Sequence, residues 1–354
     1  MYKIISKPNS LMKPYISVVV IAFNRREFIQ EAIQSVLDQT FDKQKYEIIV
    51  VKNYLDNKID EFLNKKDILN IYSDEKESGS NLSIGIKEAH GEVVSFLDDD
   101  DIFLPFKLKE VYDVFRENDS MVFFKHDVIK TRSVEDVKTQ LKDIDLDTLE
   151  TKSFCLSELN SRELFLIEKK FSLVNNSSIS IRKNSYLPFV HALKTTAMID
   201  VFLFYLAVLM NDQAIFAFQK NPLSIWRIHD SASQFRINIT KSEFLNRELK
   251  LSKEIVTAYQ NFMNIITSRH IDIRNAQILI DIINTKLGGW YVRLSLSEGK
   301  KCRTKNIFLL AKTGIYLRNL NILLSVLLGL FSLFAPKFAG QIFDWGLWKR
   351  KFMD

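Results

Sequence analysis

Four consecutive carboxylates, Asp98 to Asp101, are the residues of this sequence best suited to bind a cation. Like charges this close raise one another's pKa values, so the ionised run is costly unless something neutralises it. Mg²⁺ or Mn²⁺ prefers a few carboxylate oxygens together with the phosphate oxygens of a substrate, and this run can provide the carboxylates. The alternative is a solvated loop or a helix N-terminus, where capping and the helix dipole favour aspartate.

The elements that must position this run favour the cation site. Val93 to Leu97 (VVSFL) is a short apolar run that predicts a buried strand, and the aspartates stand at its carboxyl end, where open α/β sheets bind ligands. Ile16 to Ala22 (ISVVVIA) and Tyr46 to Val51 predict two more buried strands, and a helical pattern lies between them from Asn24. This order predicts a right-handed parallel crossover, and therefore an α/β fold of Rossmann-like type with a mostly parallel sheet flanked by helices.

The later part of the chain carries a second candidate carboxylate. Asp200 stands near the start of a strongly apolar helix predicted over Met198 to Met210. A strand is predicted at Ser172 to Arg182, and Leu223 to Ser233 is predicted as a short strand running into a polar loop. Lys125 to Lys152 is interpreted as an inserted polar loop with partial helix. Apolar residues at helical spacing dominate beyond about residue 235. The predicted organisation is an N-terminal arm (1–15), an α/β domain (16–235) and a helical region (236–354).

Composition limits the class of protein. A chain of 354 residues suits one large domain with an appendage, and 47% hydrophobic with 26% charged residues argues against disorder and against a polytopic membrane protein. Cys155 and Cys302 show neither metal-ligand spacing nor a disulfide framework, and the N-terminus lacks the apolar core of a secretory signal. We therefore expect a cytoplasmic protein.

An apolar segment near the C-terminus predicts contact with a membrane. Between Arg318 and Lys337 lie 18 uncharged residues, which is borderline for a spanning helix of about 20. Basic residues flank this run, and Trp345 and Trp348 precede a basic cluster, as in interfacial anchors. A buried core helix is the alternative. The interpretation favoured is that residues 319–348 attach the chain to the cytoplasmic face of a membrane, more as a peripheral segment than as a spanning one.

Four segments in this order resemble the inverting glycosyltransferases of family 2, which have the GT-A fold, and the resemblance covers roughly residues 15 to 235. The aspartate run with the proline that follows it is similar to the family's DXD motif. The late Arg-x-His segment is also similar to one found in many members. The four segments are Ser17–Arg25 (SVVVIAFNR), Gly79–Glu92 (GSNLSIGIKEAHGE), Phe96–Pro105 (FLDDDDIFLP) and Trp226–Ser233 (WRIHDSAS).

The resemblance implies a nucleotide-sugar donor and a bound Mn²⁺ or Mg²⁺. Asp98 and Asp99 would face the nucleotide ribose and the metal, Asp100 would be the main metal ligand, and His229 would complete the metal or phosphate contacts through its neutral imidazole. The nucleotide loop would bind mostly through its backbone, and a glycine before the metal strand would also lie at the donor. These donor-binding residues would be Ala22, Phe23, Asn24, Arg25 and Gly79.

Transfer with inversion requires a base that takes the proton of the acceptor hydroxyl. The family places this base near the start of a helix such as the one containing Asp200, usually within a Glu-Asp or similar pair. Here Ile199 fills the first position of the pair. The alternative is that Asp200 is only a helix N-terminal residue favoured by the dipole.

The sequence departs from the family after its second strand. The family commonly has Asp-Asp-Gly-Ser there, whereas this chain has Lys52, Asn53 and Tyr54 after Val51. Asn53 can pair with a nucleobase edge, and Lys52 is expected to be solvated. This departure keeps a second hypothesis open, a non-catalytic sugar-binding or membrane scaffold protein with a degenerate glycosyltransferase fold.

The predicted activity is transfer of a sugar to a hydroxyl acceptor in a glycan or on a lipid carrier, with no nucleic-acid partner. A sugar nucleotidyltransferase is disfavoured, because it would need a glycine-rich phosphate loop and Ala22 to Arg26 contains no glycine.

Overall fold

A computed structural model describes residues 2–8, 13–135, 137, 151–170, 175–194, 198–210, 213–229, 239–267, 273–317 and 320–352. The chain divides into two compact units. The first comprises residues 1–159 and 171–235, and the second comprises residues 160–170 and 236–354.

The first unit is built on one sheet, with ten strands among the residues described. The strands are β1 (Tyr2–Ser6), β2 (Ile16–Ala22), β3 (Tyr46–Lys52), β4 (Leu69–Ser73), β5 (Val93–Asp98), β6 (Ile102–Phe103), β7 (Met121–Thr131), β8 (Thr151–Cys155), β9 (Ile179–Arg182) and β10 (Ile215–Arg227). The helices of both units are α1 (Ile29–Leu37), α2 (Asn57–Lys65), α3 (Ser78–Glu88), α4 (Lys107–Glu117), α5 (Ser161–Lys170), α6 (Lys183–Tyr186), α7 (Ile199–Val208), α8 (Lys241–Thr267), α9 (Ile273–Ser297), α10 (Thr304–Leu317), α11 (Leu320–Phe331) and α12 (Pro336–Phe352).

The sheet is mixed, with the order β1-β4-β3-β2-β5-β9-β7-β10-β6 and with β8 paired to β10. Strands β4, β3, β2 and β5 are parallel, as the alternation of strands and helices predicts. Strand β9 runs antiparallel between β5 and β7. Every residue of β2 is buried, which explains its unbroken apolar sequence, because a central strand is covered on both faces.

The parallel register brings three loops together at one edge of the sheet. Ala22 at the end of β2 is paired with Lys52 at the end of β3, and Ile21 is paired with Asp98 at the end of β5. The residues that follow these strands therefore start from neighbouring positions. The predicted placement of the aspartates at the carboxyl end of a buried strand is correct.

Strand β10 delivers the Arg-x-His segment to the same region. It begins at Ile215, eight residues before the predicted start at Leu223. Its pairing with β7 shifts register around Pro222, because proline cannot donate a hydrogen bond to the ladder. The strand continues beyond this irregularity to Arg227, and the chain then reaches His229.

Two glycines of the Gly79–Glu92 segment allow close packing against β2. A Cβ at Gly85 would lie 2.3 Å from Cγ1 of Val19, and a Cβ at Gly91 would lie 2.7 Å from the backbone nitrogen of Ser17. Only glycine fits these two contacts without displacement of the strand. These two glycines therefore position α3 and the start of β5.

The predicted strand over Ser172 to Arg182 is correct from Ile179 onward and wrong over residues 175–178. Residues 171–174 lie outside the described residues, and the chain from Asn175 to Ser178 forms a loop with a 3₁₀ turn before β9 begins at Ile179. Asparagine and serine bond readily to nearby backbone, which favours turns over strands. Of the predicted inserted loop, β7 and β8 occupy the two ends, and most of the centre lies outside the described residues.

The second unit is helical where it is described, as predicted for the region after residue 235. The apolar run of residues 319–336 does not continue as one helix. Helix α11 ends at Phe331, within the run. Helix α12 begins at Pro336, in keeping with the preference of proline for the first turn of a helix. Within the described ranges, none of the helices combines the length and hydrophobicity that crossing a bilayer requires.

Candidate active site at the carboxyl edge of the sheet

Asp101 fixes the loop that carries the aspartate run. It is 1% exposed, and its Oδ2 accepts hydrogen bonds from Ser177 Oγ at 2.6 Å and from Asn175 Nδ2 at 2.7 Å. Its Oδ1 accepts a bond from the Arg227 backbone at 3.1 Å. Two separate segments, residues 175–177 and Arg227, therefore converge on one carboxylate, which fixes the loop. Burial and the charge of Asp100 raise the pKa of Asp101 to about 7.

The loop from Asn175 to Ser177 holds the aspartate run from the opposite side. Ser177 Oγ accepts a hydrogen bond from the Asp98 backbone at 2.9 Å, and Ser177 O accepts one from the buried Lys107 at 2.6 Å. Asn175 has φ +80°, a conformation that is unfavourable for a residue with a side chain. Such strain persists where surrounding contacts over-determine it, often at functional sites. We name residues 175–177 the clamp loop.

Arg25 is a cation already present among the aspartates. Its Nη1 lies 2.5 Å from Asp100 Oδ2, and its Nη2 pairs with Asp99. Asp99 is 2% exposed, and its Oδ2 has no hydrogen-bond partner. Burial raises the pKa of Asp99 to about 6, and the charge of Arg25 opposes the rise. Burial and the three neighbouring carboxylates raise the pKa of Asp98 well above its usual value.

His229 meets the aspartate run as the resemblance implies. Its Nε2 lies 2.9 Å from Asp100 Oδ2 and 3.4 Å from Arg25 Nη1. The side chains of Asp100 and His229 are 13% and 12% exposed, so both remain accessible to a ligand. The imidazole also packs on the Phe28 ring, with centroids 4.8 Å apart. The structure thus brings together residues that are 129 positions apart in sequence.

Asp200 is joined to the aspartate run through the clamp loop. Its Oδ2 accepts a hydrogen bond from the Asn175 backbone at 3.1 Å, and the side chain of the same Asn175 bonds Asp101. Burial raises the pKa of Asp200 to about 6, and hydrogen bonds from the Val201 and Asn175 backbones oppose the rise. A carboxylate with a pKa near neutrality is well suited to act as a general base.

The remaining predicted donor residues occupy the loops after β2 and β3. Ala22 ends β2, and a hydrogen bond from the Phe23 backbone lowers the pKa of Asp99. Asn24 has φ +60°. Its backbone N–H donates to Asn53 Oδ1 at 2.8 Å, and its Oδ1 accepts from Asn53 Nδ2 at 2.9 Å. Asn53 therefore links the two loops in this structure. Its predicted contact with a nucleobase remains a prediction.

Two predicted positions have a structural role here. Lys52 is fully buried, contrary to the expected solvated position, and its Nζ lies 2.8 Å from Asp60 Oδ1 and 2.8 Å from Tyr54 O. It thereby fixes the loop after β3. Gly79 lies in the first turn of α3, where its carbonyl accepts a hydrogen bond from Ser83. Its predicted contact with the donor stays untested.

The sequence assigns no role to two parts of this site: Arg227, which enters only as part of the Arg-x-His segment, and the clamp loop. Arg227 Nε donates to the Asp100 backbone at 3.0 Å, and its guanidinium pairs with Glu31 at 2.5 Å and lies over the Phe28 ring. Its bond to the Asp100 backbone positions the aspartate loop. The sequence pattern predicts the clamp loop as part of a strand. It gives no sign of the bonds from Asn175 and Ser177 to Asp101, because Asp101 is more than 70 residues away. A short Asn-Asn-Ser-Ser stretch before a strand is the one cue available.

The donor atoms fit a divalent cation in part. Within the described residues, no three Asp, Glu, His or Cys side chains are gathered into a metal-ligating group. However, Asp100 Oδ2 and His229 Nε2 lie close together, and the buried Asp99 Oδ2 has no partner. Carboxylate oxygen and imidazole nitrogen both suit Mn²⁺, and Mg²⁺ takes carboxylates together with substrate phosphates. Asp99, Asp100 and His229 are the residues that would hold the ion.

The clamp loop gives a prediction about stability. Replacing Ser177 with alanine removes a donor to the buried Asp101 carboxylate, and we expect the free energy of unfolding to fall by about 1–3 kcal/mol. Urea denaturation above pH 7, where Asp101 is mostly ionised, measures it. Ser180→Ala is the matched control, because Ser180 is also buried but bonds the neutral Ser95 hydroxyl. An equal loss in both variants would show that the bond to Asp101 adds nothing.

Comparisons with known proteins bear on the same part of the chain. The family model described as "Glycosyl transferase family 2" matches residues 17–178. The chain is 33% identical over 93 residues to glycosyltransferase AglE of Haloferax volcanii, which covers 25% of this chain and 31% of that relative. It is 34% identical over 112 residues to the poly(ribitol-phosphate) beta-N-acetylglucosaminyltransferase TarP of Staphylococcus aureus, which covers 30% and 34%. The matched segment thus spans about a third of these relatives.

One solved structure matches nearly the whole chain. It is S. aureus TarS 1-349 in complex with UDP-GlcNAc, with a TM-score of 0.54 and 15% sequence identity. The match covers 95% of this chain and 92% of that one, so the two share a fold.

Proposed function

We propose that this chain, which contains a glycosyltransferase domain of family 2 with the GT-A fold, is a metal-dependent inverting glycosyltransferase. It would transfer a sugar from a nucleotide-diphosphate sugar to a hydroxyl group of a glycan or lipid-linked acceptor. The observation that carries the proposal is the convergence of Arg25, Asp99, Asp100 and His229 at the carboxyl edge of the sheet.

The side chains of this site divide the chemistry of transfer between them. Asp99, Asp100 and His229 would hold Mn²⁺ or Mg²⁺, and the chemistry such an ion would supply is stabilisation of negative charge on the departing nucleoside diphosphate. Arg25 is placed to donate hydrogen bonds to diphosphate oxygens, since the guanidinium fork can bind phosphate oxygens in a bidentate manner. Asp98 borders the ribose. The donor loops are fixed by the bonds between Asn24 and Asn53.

Asp200 acts as the general base. It takes the proton of the acceptor hydroxyl while the acceptor oxygen attacks the anomeric carbon and the bond from that carbon to the diphosphate breaks. The attack comes from the face opposite the leaving group, so the configuration inverts. The raised pKa of Asp200, about 6, supports this role, because the group is ionised at neutral pH yet still accepts a proton readily.

We further propose that the enzyme works at the cytoplasmic face of a membrane, in the synthesis of cell-surface or lipid-linked glycans. Residues 319–348 would attach it there without crossing the bilayer. Large apolar side chains exposed on α11 and α12 support this attachment.

Calorimetric titration of UDP, GDP and dTDP, each with Mn²⁺ and with a chelator, tests the proposal directly. We expect one nucleotide to bind, and to bind much more tightly when Mn²⁺ is present. Absence of metal-dependent binding for all three would overturn the proposal. Tight binding without release of the nucleoside diphosphate from any sugar donor would instead favour the non-catalytic sugar-binding alternative.

A further inference from the structure

A continuous apolar surface covers one side of α11 and α12. Leu327 is 61% exposed, Phe334 86% and Phe338 57%. The rings of Phe331 and Phe338 are in contact, with centroids 6.1 Å apart, so the exposed side chains of the two helices meet. Soluble monomers rarely expose such patches, which mark contact with a protein or a membrane. This apolar ridge consists of Leu323, Leu324, Leu327, Leu330, Phe331, Phe334, Phe338, Ile342 and Trp345.

Helix α11 has, besides the ridge, a second apolar side that packs against the core of the second unit. Ile322, Val326 and Leu328 of the same helix pack against the buried cluster of the second unit. The helix is therefore apolar on its inner and outer sides, although only the inner side is covered. A helix of this kind is usual in a protein core or in contact with lipid.

A basic pocket opens beside the start of α10. It has a volume of about 660 Å³, and its lining includes Lys300, Lys301, Arg303 and Lys305 together with hydroxyl and amide groups. No Asp or Glu belongs to the lining of this pocket as the structure describes it. Across residues 299–352 the sequence has ten Lys or Arg and a single acid, Asp344. Such a concentration of donors and positive charge suits phosphate groups.

The loop that carries the cations of the basic pocket is in contact with the segment between α11 and α12. The Cys302 backbone, between the pocket's cations, donates a hydrogen bond to Ser332 Oγ at the end of α11. A Cβ at Gly299 would lie 3.6 Å from Cα of Lys337, and one at Gly340 would lie 2.4 Å from the Leu296 carbonyl. The loop of the pocket is thus packed directly on the joint between α11 and α12.

We infer that the second unit binds anionic phospholipid, with the ridge among the acyl chains and the lipid phosphates in the basic pocket. This deepens the membrane attachment proposed above by naming the lipid class and the side chains that recognise it. Lys349 lies 5.4 Å from the Trp345 ring, and aromatic and basic side chains together are typical of the membrane interface. A neutral partner surface would leave the positive charge around the ridge without a counterpart.

Sedimentation with vesicles tests the inference on the full chain. We expect binding to phosphatidylcholine vesicles that contain phosphatidylglycerol, and little binding to phosphatidylcholine alone. Replacement of Lys301, Arg303 and Lys305 with glutamine should lower the partition coefficient roughly a hundredfold, since each cation near an anionic surface contributes roughly fivefold. Added salt should weaken binding of the wild type, because it screens these charges.

The ridge is tested by the double variant Phe334→Ser, Phe338→Ser, which we expect to lose most vesicle binding while its helical circular dichroism stays unchanged. Leu251→Ser is the control, because Leu251 is 39% exposed in the same unit but belongs to α8. Equal binding to neutral and anionic vesicles would overturn the inference. The inference would also be overturned if the wild type bound no vesicles but formed a dimer that the two phenylalanine replacements dissociate, since the ridge would then contact a second copy.

The outcome is independent of donor chemistry. An Asp100→Ala variant should bind vesicles as the wild type does, so failure of the transferase proposal leaves this test intact. Displacement of the chain from vesicles by inorganic phosphate at the same phosphate concentration would show a general anion site and overturn the lipid assignment.

Discussion

Replacing Asp100 with alanine is expected to weaken nucleotide-sugar binding in the presence of Mn²⁺ by at least roughly a hundredfold, to the level seen with a chelator. Asp100 Oδ2 is the atom shared by Arg25 and His229, so its removal takes away the carboxylate oxygen at the centre of the site. Calorimetric titration of the donor with and without Mn²⁺ measures the effect. The metal-independent part of binding should change little, since it depends on other residues.

Two further variants separate charge from shape. Asp100→Asn keeps the size of the side chain and removes its charge, and it should lose the Mn²⁺ effect as fully as alanine does. Asp113→Asn is the control, because Asp113 is a surface carboxylate paired with Lys109 on α4. If Asp100→Ala retained the full difference between Mn²⁺ and chelator, Asp100 would not be a metal ligand.

Arg25 contacts two of the carboxylates that are proposed to bind the metal. Its guanidinium pairs with Asp99 Oδ1 and Asp100 Oδ2 and offsets part of their negative charge. A divalent ion that binds Asp100 Oδ2 would therefore compete with Arg25 for that oxygen. This competition favours joint binding of metal and diphosphate, because the diphosphate offers Arg25 new acceptors.

The sequence alone predicts much of this site, because buried strands leave a clear pattern. Apolar runs without alternation identify β2, β3 and β5, and the parallel order follows from the helices between them. The aspartate run is then placed at the carboxyl edge by its position after β5. The predicted family is confirmed over residues 17–178, where the family model matches, and the predicted fold is confirmed by the solved structure that shares it.

Contacts between distant polar residues could not be predicted. Lys52 looks like a surface lysine, but Asp60 and the Tyr54 carbonyl make its burial favourable, and neither partner is indicated by spacing. The clamp loop is similar, since Ser177 finds Asp101 across 76 positions. Such bonds depend on tertiary structure, which brings together segments whose local patterns carry no common signal.

Strand β10 shows how a local rule can mislead. Pro222 marks the end of one element in the sequence, so a strand is predicted only after it. The structure keeps one strand through the proline by shifting register against β7. Pairing on both sides of the irregularity outweighs the single hydrogen bond that proline cannot make.

Replacing Asp200 with asparagine is expected to lower kcat by about 10²–10⁴-fold and to leave donor affinity unchanged. Asparagine keeps the size of the side chain and one oxygen, which can replace only one of the two acceptors of Asp200, Oδ1 for the Val201 N–H or Oδ2 for the Asn175 N–H, and it cannot take a proton. Donor binding should persist, because Asp200 has no contact with Asp99, Asp100 or His229 among the described hydrogen bonds. Parallel calorimetry and nucleoside diphosphate release measure the two quantities.

The pH profile separates a base from a merely structural carboxylate. The base must be ionised to accept a proton, and burial raises the pKa of Asp200 to about 6. The kcat of the wild type should therefore rise as the pH increases through about 6 and level off above it. Asp99 also has a pKa of about 6, so the comparison between variants is what matters: the rise should be clearly smaller in Asp200→Asn than in Asp113→Asn.

A loss of donor binding in Asp200→Asn equal to that in Asp100→Ala would contradict this division of roles. The two residues are linked through Asn175 and Asp101, so a structural effect could pass between them. Ser177→Ala guards against this, because it disturbs the same link without touching either proposed role. If Asp200→Asn lowers kcat far more than Ser177→Ala while binding is equal in both, proton transfer is the step that Asp200 performs.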